Sequence, residues 1–219
     1  MVSRSRGQSI VAAAAYRAGD RLHDERYGRT HDYGRKAVEY SEIILPDQAP
    51  EAWRDRETLW NSVERAEKRA DAQLAREIEV ALPRELDRAD QVALVREFVG
   101  REFVARGMVA DFSVHAPRAS DGEEAPHAHI LLSLRTGTPG GWGQKCRAWN
   151  ARALHEQWRE AWETAVNVRL AVFPACAGMS RAGTGLALWV ACVPRLRGDE
   201  PNWCSTKLAR LKCSPPARG

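Results

Sequence analysis

The chain has 219 residues, of which 44% are hydrophobic and 28% charged, a composition typical of a single globular domain. No apolar run reaches the roughly 18 to 20 residues that cross a bilayer, and the amino terminus lacks the apolar core of a secretory signal. We therefore expect a cytoplasmic protein without membrane insertion. The net charge is +4, of which residues 171–219, with 7 basic and 2 acidic side chains, contribute +5 and residues 1–170 contribute −1, so overall charge gives no argument that residues 1–170 bind nucleic acid.

The spacing of apolar residues predicts a mixture of helices and strands. Ser9 is a good helix N-cap, the alanines after it favour a helix, and Gly19 loosens its end. In chain order, the pattern predicts a helix over residues 9–22, a strand over 38–45, a helix over 57–72, a strand over 76–83, a helix over 87–106, strands over 108–115 and 127–135, and a helix over 149–167. This mixture points to an α+β domain in which helices cover an antiparallel sheet.

Three histidines lie at the ends of two neighbouring predicted strands. Residues two apart on a strand share a face, so His127 and His129 in "HAHILLSLR" point the same way. His115 ends the preceding strand, and the three imidazoles converge if the two strands pair as a hairpin. Three imidazoles can hold a divalent metal and leave positions open for a substrate. The alternative is that these are ordinary polar residues at strand ends.

Two carboxylates repeat the same spacing on the strand "REIEVALP". Glu77 and Glu79 share one face of that strand, where they could orient a metal-bound imidazole or accept a proton. A solvated strand face explains the spacing equally well.

Several motifs in a fixed order carry a family resemblance. "GQSIVAAAAYR", "REIEVALPREL", "MVADFSVH", "PHAHILLSLR" and "WNARALHEQWREAW" together resemble the MobA/MobL relaxases, which are related to the relaxase portion of TraA-type conjugation proteins. The resemblance covers residues 3–168. It implies the relaxase, or HUH-type nuclease, fold and the function of nicking one DNA strand at the transfer origin of a mobilisable plasmid.

The resemblance also assigns the site residues. It implies that His115, His127 and His129 hold a divalent metal, with Mn²⁺ or Mg²⁺ expected and Zn²⁺ as the alternative. The family's nucleophilic tyrosine lies nine residues after the glycine of "GQS", which is the position of Tyr16, and Glu77 and Glu79 match its acidic strand. The implied reaction joins Tyr16 to the 5′-phosphate of the cut strand. The implied partners are single-stranded origin DNA, accessory relaxosome proteins and coupling proteins.

The segment after Tyr16 is rich in basic and aromatic residues. Its lysine and arginines could bind phosphates, and Tyr27, Tyr33 and Tyr40 could stack on bases. A solvated loop is the alternative.

The chain departs from the family at both ends. Only six residues precede Gly7, so we expect the family's first strand to be absent and one edge of the sheet to be open. After Leu170 the resemblance stops, and "VFPACAGMSR", "VPRLRGDEP" and "CSPPARG" follow. One DNA repeat read in three frames can encode all three peptides, at equal intervals along the gene. We therefore interpret residues 1–170 as a relaxase-like domain and 171–219 as a disordered, non-native tail translated from a CRISPR-like array.

Two other functions stay open at this point. The chain could be a truncated, inactive relaxase remnant that at most binds DNA. It could also be a histidine-metal hydrolase that does not act on DNA, in which Tyr16 is only structural.

Overall fold

The computed structural model describes residues 1–172, which form an α+β fold, as predicted. The strands are β1 (Val2–Ser3), β2 (Arg21–Asp24), β3 (Arg29–Asp32), β4 (Tyr40–Ile44), β5 (Gln73–Ala81), β6 (Met108–His115), β7 (His127–Thr138) and β8 (Gly141–Lys145). The helices are α1 (Ile10–Ala18), α2 (Arg56–Ala66), α3 (Arg88–Glu102) and α4 (Arg152–Val172). Within residues 1–172, no helix combines the length and the apolar character needed to cross a membrane.

Six strands form one antiparallel sheet. The strand order is β1, β5, β7, β6, β4, and β8 pairs with the far end of β7, while β2 and β3 form a separate hairpin. In the centre of the sheet, Ile130 on β7 lies opposite Ile78 on β5 and Phe112 on β6. These buried cross-strand neighbours fix the register, because a slip of one residue would turn every apolar side chain to the other face.

Helices cover both faces of the sheet. Helices α3 and α4 pack on one face, against side chains that include Phe112, Ile130 and Leu132. Helices α1 and α2 pack on the other face, against Val109 and Leu131. Successive side chains on a strand point to opposite faces, so the odd-numbered residues of β6 and β7 all face α1 and α2. This face carries the apolar Val109 and Leu131, the buried polar Asp111 and Ser113, and then the histidines at 115, 127 and 129.

Helix α1 is shorter than predicted. It begins as expected, with the Ser9 side chain accepting a hydrogen bond from the Ala12 amide. It ends at Ala18 rather than at residue 22, because Gly19 adopts a left-handed conformation (φ 68°) and donates its amide to Ala15. The residues that follow form β2, the first strand of a hairpin that the sequence pattern did not predict.

The amino-terminal residues are tied to the sheet edge and to α2. The expected absence of a first strand is corrected, because Val2 pairs with Ala75 and thereby covers the beginning of β5. The buried Arg4 forms an ion pair with Glu64 and donates to three main-chain carbonyls, one in the last turn of α2 and two after its end. Those carbonyls, of Glu64, Glu67 and Arg69, are thereby held in a turn. Helix α2 consequently ends at residue 66 and not at 72.

The remaining elements follow the predicted order. Helix α3 begins after its Asp87 cap, and a short 3₁₀ turn separates its end from Gly107, which has a φ of 88°. Helix α4 covers 152–172, and Trp158 and Trp162 are buried against Phe98 and Phe103. Strand β8, between β7 and α4, was not predicted from the sequence. The predicted disordered, non-native tail lies outside the described residues, apart from 171 and 172, which continue α4.

Candidate active site

The structure brings the three predicted histidines together. His115 on β6 lies directly opposite His127 on β7, and His129 follows two residues later on the same face. The ring centroids are 5.0 to 5.4 Å apart, and one ligand nitrogen from each ring lies within 4.8 Å of the other two. We call these three residues the histidine triad. Its convergence results from the antiparallel pairing of two strands that both end in polar residues.

Hydrogen bonds assign the tautomer of each ring. His115 Nε2 lies 2.7 Å from the Arg17 carbonyl oxygen, and His127 Nδ1 lies 3.0 Å from the Ala125 carbonyl oxygen. A carbonyl oxygen only accepts, so both of these nitrogens carry the proton. His129 Nδ1 lies 3.0 Å from a carboxylate oxygen of Glu77, which assigns its proton in the same way. When it carries a single proton, each ring therefore has one unprotonated nitrogen to offer a metal.

Burial keeps His115 neutral. The ring is buried, and this burial, together with the nearby charges of Lys36 and the other two histidines, lowers its pKa from 6.5 to about 4. A metal ligand must be unprotonated, so His115 is ready to coordinate at neutral pH without losing a proton.

Glu77 and Arg17 support the triad from behind. The buried Glu77 carboxylate accepts from His129 and from Arg17, whose Nε and terminal nitrogen lie 2.7 and 2.6 Å from the same oxygen. Burial acts to raise the pKa of Glu77, but the hydrogen bonds and charges of His129 and Arg17 outweigh it and hold the pKa at about 2. Glu77 is thus ionised and fully engaged, an arrangement suited to orienting His129.

Glu79 occupies a more open position. Its carboxylate oxygen lies 4.0 Å from His129 Nδ1, its side chain is about one-third exposed, and it lines the cleft in front of the triad. Unlike Glu77, it has no arginine partner among residues 1–172. Its carboxylate is therefore accessible from the cleft.

Tyr16 borders the same cleft. It lies near the end of α1, and the cleft of about 500 Å³ is lined by Tyr16, Arg17, Lys36, Ala37, Glu39, Glu79, Ala116, Pro117 and the histidine triad. Tyr16 is half exposed, an unusual position for a large aromatic side chain on a packed helix. The structure thus brings all six predicted site residues to one region.

The aromatic residues proposed for base stacking are separated. Tyr33 contacts the Tyr16 ring edge-on, with centroids 5.2 Å apart. Tyr27 is exposed at the tip of the β2–β3 hairpin. Tyr40 packs against Phe112 on the α3 side of the sheet, away from the cleft.

Arg17 and Lys36 were not singled out from the sequence. Arg17 contacts Glu77 across 60 positions of sequence, and the triad through its main-chain carbonyl across 98, so no local pattern reveals it. In the sequence, the indication of a role for Arg17 is its position directly after Tyr16 in the predicted helix. Lys36 is one of several basic residues in the segment that follows.

The donor set fits a divalent metal. Three imidazoles converge at one end of an open cleft, and Glu77 fixes the outer nitrogen of His129. Three histidines that leave coordination positions free are typical of catalytic metal sites. A sheet with helices on both faces, three such histidines and a half-exposed tyrosine that lines the same cleft together form a candidate metal-dependent active site.

Comparisons with known proteins agree with this architecture. The model of the MobA/MobL family matches residues 8–174, and the chain belongs to that family. It is 42% identical over 156 residues to the conjugal transfer protein TraA of Agrobacterium fabrum and 40% identical over 162 residues to the mobilization protein MobL of Acidithiobacillus ferridurans. These matches cover 66% and 64% of this chain but only 14% and 42% of the two relatives.

A solved structure has the same fold. It is described as "Molecular Basis of Vancomycin Resistance Transfer in Staphylococcus aureus", is 33% identical and superposes with a TM-score of 0.71. The match covers 84% of this chain and 95% of that one. The family resemblance inferred from the motifs is therefore confirmed.

Proposed function

We propose that the protein is a plasmid relaxase that nicks one strand of DNA at a transfer origin. The observation that carries this proposal is the common cleft of Tyr16 and the histidine triad, in a chain of the MobA/MobL family. A phenol is a poor nucleophile at neutral pH and needs nearby groups that stabilise its anion. A cleft that holds both a phenol and a cation-binding triad supplies them.

In the proposed step, the Tyr16 hydroxyl oxygen attacks a backbone phosphorus. The new oxygen–phosphorus bond forms as the bond from phosphorus to the 3′ oxygen breaks, leaving a 3′-hydroxyl and a 5′-phosphotyrosine. Glu79 is the accessible carboxylate that can take the phenolic proton, and the 3′ oxygen gains a proton from solvent water as it leaves. Glu77, Arg17 and His129 remain a fixed frame. The bond energy is conserved, so the 3′-hydroxyl can reverse the reaction and reseal the strand.

The bound ion would polarise the scissile phosphate and offset the charge that develops on its oxygens. We propose Mn²⁺ or Mg²⁺ in this role, with Zn²⁺ as the alternative that imidazole ligands also suit. The residues that would hold it are His115, His127 and His129.

The proposed setting follows from the substrate. Plasmid DNA lies in the cytoplasm, so the reaction is proposed to take place there. Accessory relaxosome proteins are proposed to open the origin into single-stranded form, and coupling proteins to receive the covalent product.

Covalent capture of DNA tests this function. The protein is incubated with single-stranded origin DNA and Mn²⁺, Mg²⁺ or Zn²⁺, and the adduct is measured as a band of reduced mobility in a denaturing gel. We expect an adduct that requires the metal and disappears in Tyr16→Phe. The control Tyr27→Phe, which alters another exposed tyrosine, should retain it.

Other outcomes would reject the proposal. An adduct that persists in Tyr16→Phe would mean that Tyr16 is not the nucleophile. DNA binding without any adduct would support the inactive relaxase remnant, and neither binding nor adduct would support a hydrolase that acts on other substrates.

We further propose that residues 1–170 are the functional domain and that 171–219 derive from translated DNA repeats. Removal of residues 173–219 should then leave adduct formation unchanged. Gene sequence that lacks near-identical repeats at the codons for the three tail peptides would refute this origin.

A further inference from the structure

Lys36 contacts Tyr16 at two points. Its ammonium nitrogen lies 3.7 Å from the centroid of the Tyr16 ring, and it donates a hydrogen bond of 2.9 Å to the Tyr16 carbonyl oxygen. Tyr33 closes another side of the same ring, at an interplanar angle of 87°. A half-exposed side chain on a helix is ordinarily free to change rotamer, whereas this one is contacted on its face by the Lys36 ammonium and also by the Tyr33 ring.

The segment that carries Lys36 is fastened to the end of α1. The Tyr33 amide donates to the Asp20 carbonyl oxygen, and the Lys36 amide donates to the Tyr33 carbonyl oxygen. The Lys36 carbonyl also packs against Gly19, where an added Cβ would approach it to 3.1 Å. The position of the ammonium over the ring is therefore set by the main chain as well as by its side chain.

The electrostatic surroundings of Lys36 are unusual for a lysine. Within residues 1–172, its hydrogen bond and ring contact are both with Tyr16, and it forms no salt bridge with a carboxylate. Partial burial and the neighbouring Arg17 lower its pKa from 10.5 to about 8, although Glu77 acts in the opposite direction. Lys36 is therefore still mainly protonated at pH 7. A half-buried cation without an anionic partner is unfavourable unless the aromatic ring and the carbonyl compensate.

We propose that Lys36 is a positioning residue that holds the Tyr16 ring in the cleft and favours the anionic form of its hydroxyl during attack. This inference rests on the proposed function, because it requires Tyr16 to be the nucleophile. A positive charge on the ring face lowers the energy of negative charge that develops on the phenolic oxygen. A fixed ring also removes the need to select one rotamer before each attack.

The experiment compares Lys36→Met with Lys36→Arg and with Arg35→Met. Methionine keeps the length of the side chain and removes its charge, and arginine retains the charge. Arg35 is exposed and adjacent, so Arg35→Met removes the same charge from the same segment without contacting Tyr16. Single-turnover adduct formation on single-stranded origin DNA with Mn²⁺ is measured against DNA concentration, which separates the maximal rate from the half-saturating concentration.

We expect Lys36→Met to lower the maximal rate about tenfold, the order of one such contact. The half-saturating DNA concentration should change no more than it does in Arg35→Met. Lys36→Arg should restore most of the rate, since a guanidinium can also stack on the ring.

Two results would overturn the inference. If the maximal rate of Lys36→Met is unchanged, Lys36 does not position Tyr16. If Lys36→Met changes only the half-saturating DNA concentration, and this difference from the wild type becomes smaller as salt is added, Lys36 is a phosphate contact instead. Both results differ from failure of the proposed function, in which Tyr16→Phe itself would retain the adduct.

Discussion

Replacement of Glu77 by glutamine is the most direct test of the frame behind the triad. The substitution keeps the shape of the side chain and removes the charge that Arg17 and His129 share. Arg17 is only 12% exposed, so it would retain a positive charge with little access to water. The new side-chain amide could also point its NH₂ group, a hydrogen-bond donor, at Arg17 and His129, which are themselves donors.

The magnitude follows from the pKa of Glu77. Its reduction from 4.5 to about 2 corresponds to about 3 kcal/mol of folding free energy at pH 7, which agrees with the range for breaking a buried ion pair. The pKa is lower in the folded than in the unfolded state, so this stabilisation is present above pH 4.5. It is lost as the pH falls from 4.5 towards 2, with roughly 2 kcal/mol gone by pH 3.

Urea denaturation at pH 7 and at pH 3, followed by tryptophan fluorescence in the presence of EDTA, measures both effects. We expect Glu77→Gln to lower the free energy of unfolding by about 3 kcal/mol at pH 7 and by much less at pH 3. The control Glu79→Gln, on the same strand face, should change it by less than about 1 kcal/mol because that carboxylate is more exposed. Equal effects of the two variants at pH 7, or an effect of Glu77→Gln that does not shrink at pH 3, would refute the reasoning.

Three further predictions concern the metal site and the fold. Arg17→Met should weaken Mn²⁺ binding about 10- to 100-fold, measured by titration calorimetry, because Glu77 loses the partner that aligns it with His129; unchanged affinity would contradict this role. Gly19→Ala should destabilise the protein by about 2 kcal/mol or more, because φ is 68° and the new Cβ would approach Val38 to 2.9 Å. Its control Gly28→Ala has a similar φ but open space, so a thermal melt should show a smaller loss. Trp162→Ala should lower the unfolding free energy by about 3 to 5 kcal/mol, since the ring is 1% exposed in the core.

The sequence was most informative where one local pattern determines the structure. Strand β6 has the predicted bounds because a mainly apolar segment, with Asp111 and Ser113 as its polar interruptions, follows Gly107, which ends the preceding helical region. The shared face of His127 and His129 follows from the alternation of side chains along a strand, which holds wherever the strand pairs. The order of the motifs then identified the family.

Features that depend on distant residues were not predicted. The hairpin of β2 and β3 consists of short, charged strands, and Asn61 of α2 holds it by donating to the His23 carbonyl oxygen and accepting the Glu25 amide. The end of α2 depends on Arg4, some 60 positions earlier. Such contacts arise only when the fold brings the segments together, so helix propensity alone extends α2 too far.

The hydrogen bond from His115 to the Arg17 carbonyl joins positions 98 residues apart. Until the first helix docks on the sheet, nothing from that helix selects which nitrogen of His115 carries the proton. Binding of a metal ion with native affinity should therefore occur late in folding, after the contact between α1 and β6 has joined positions this far apart. A nascent or partly unfolded chain would bind metal ions poorly, so metal loading would indicate that the helix of Tyr16 has already docked on the sheet.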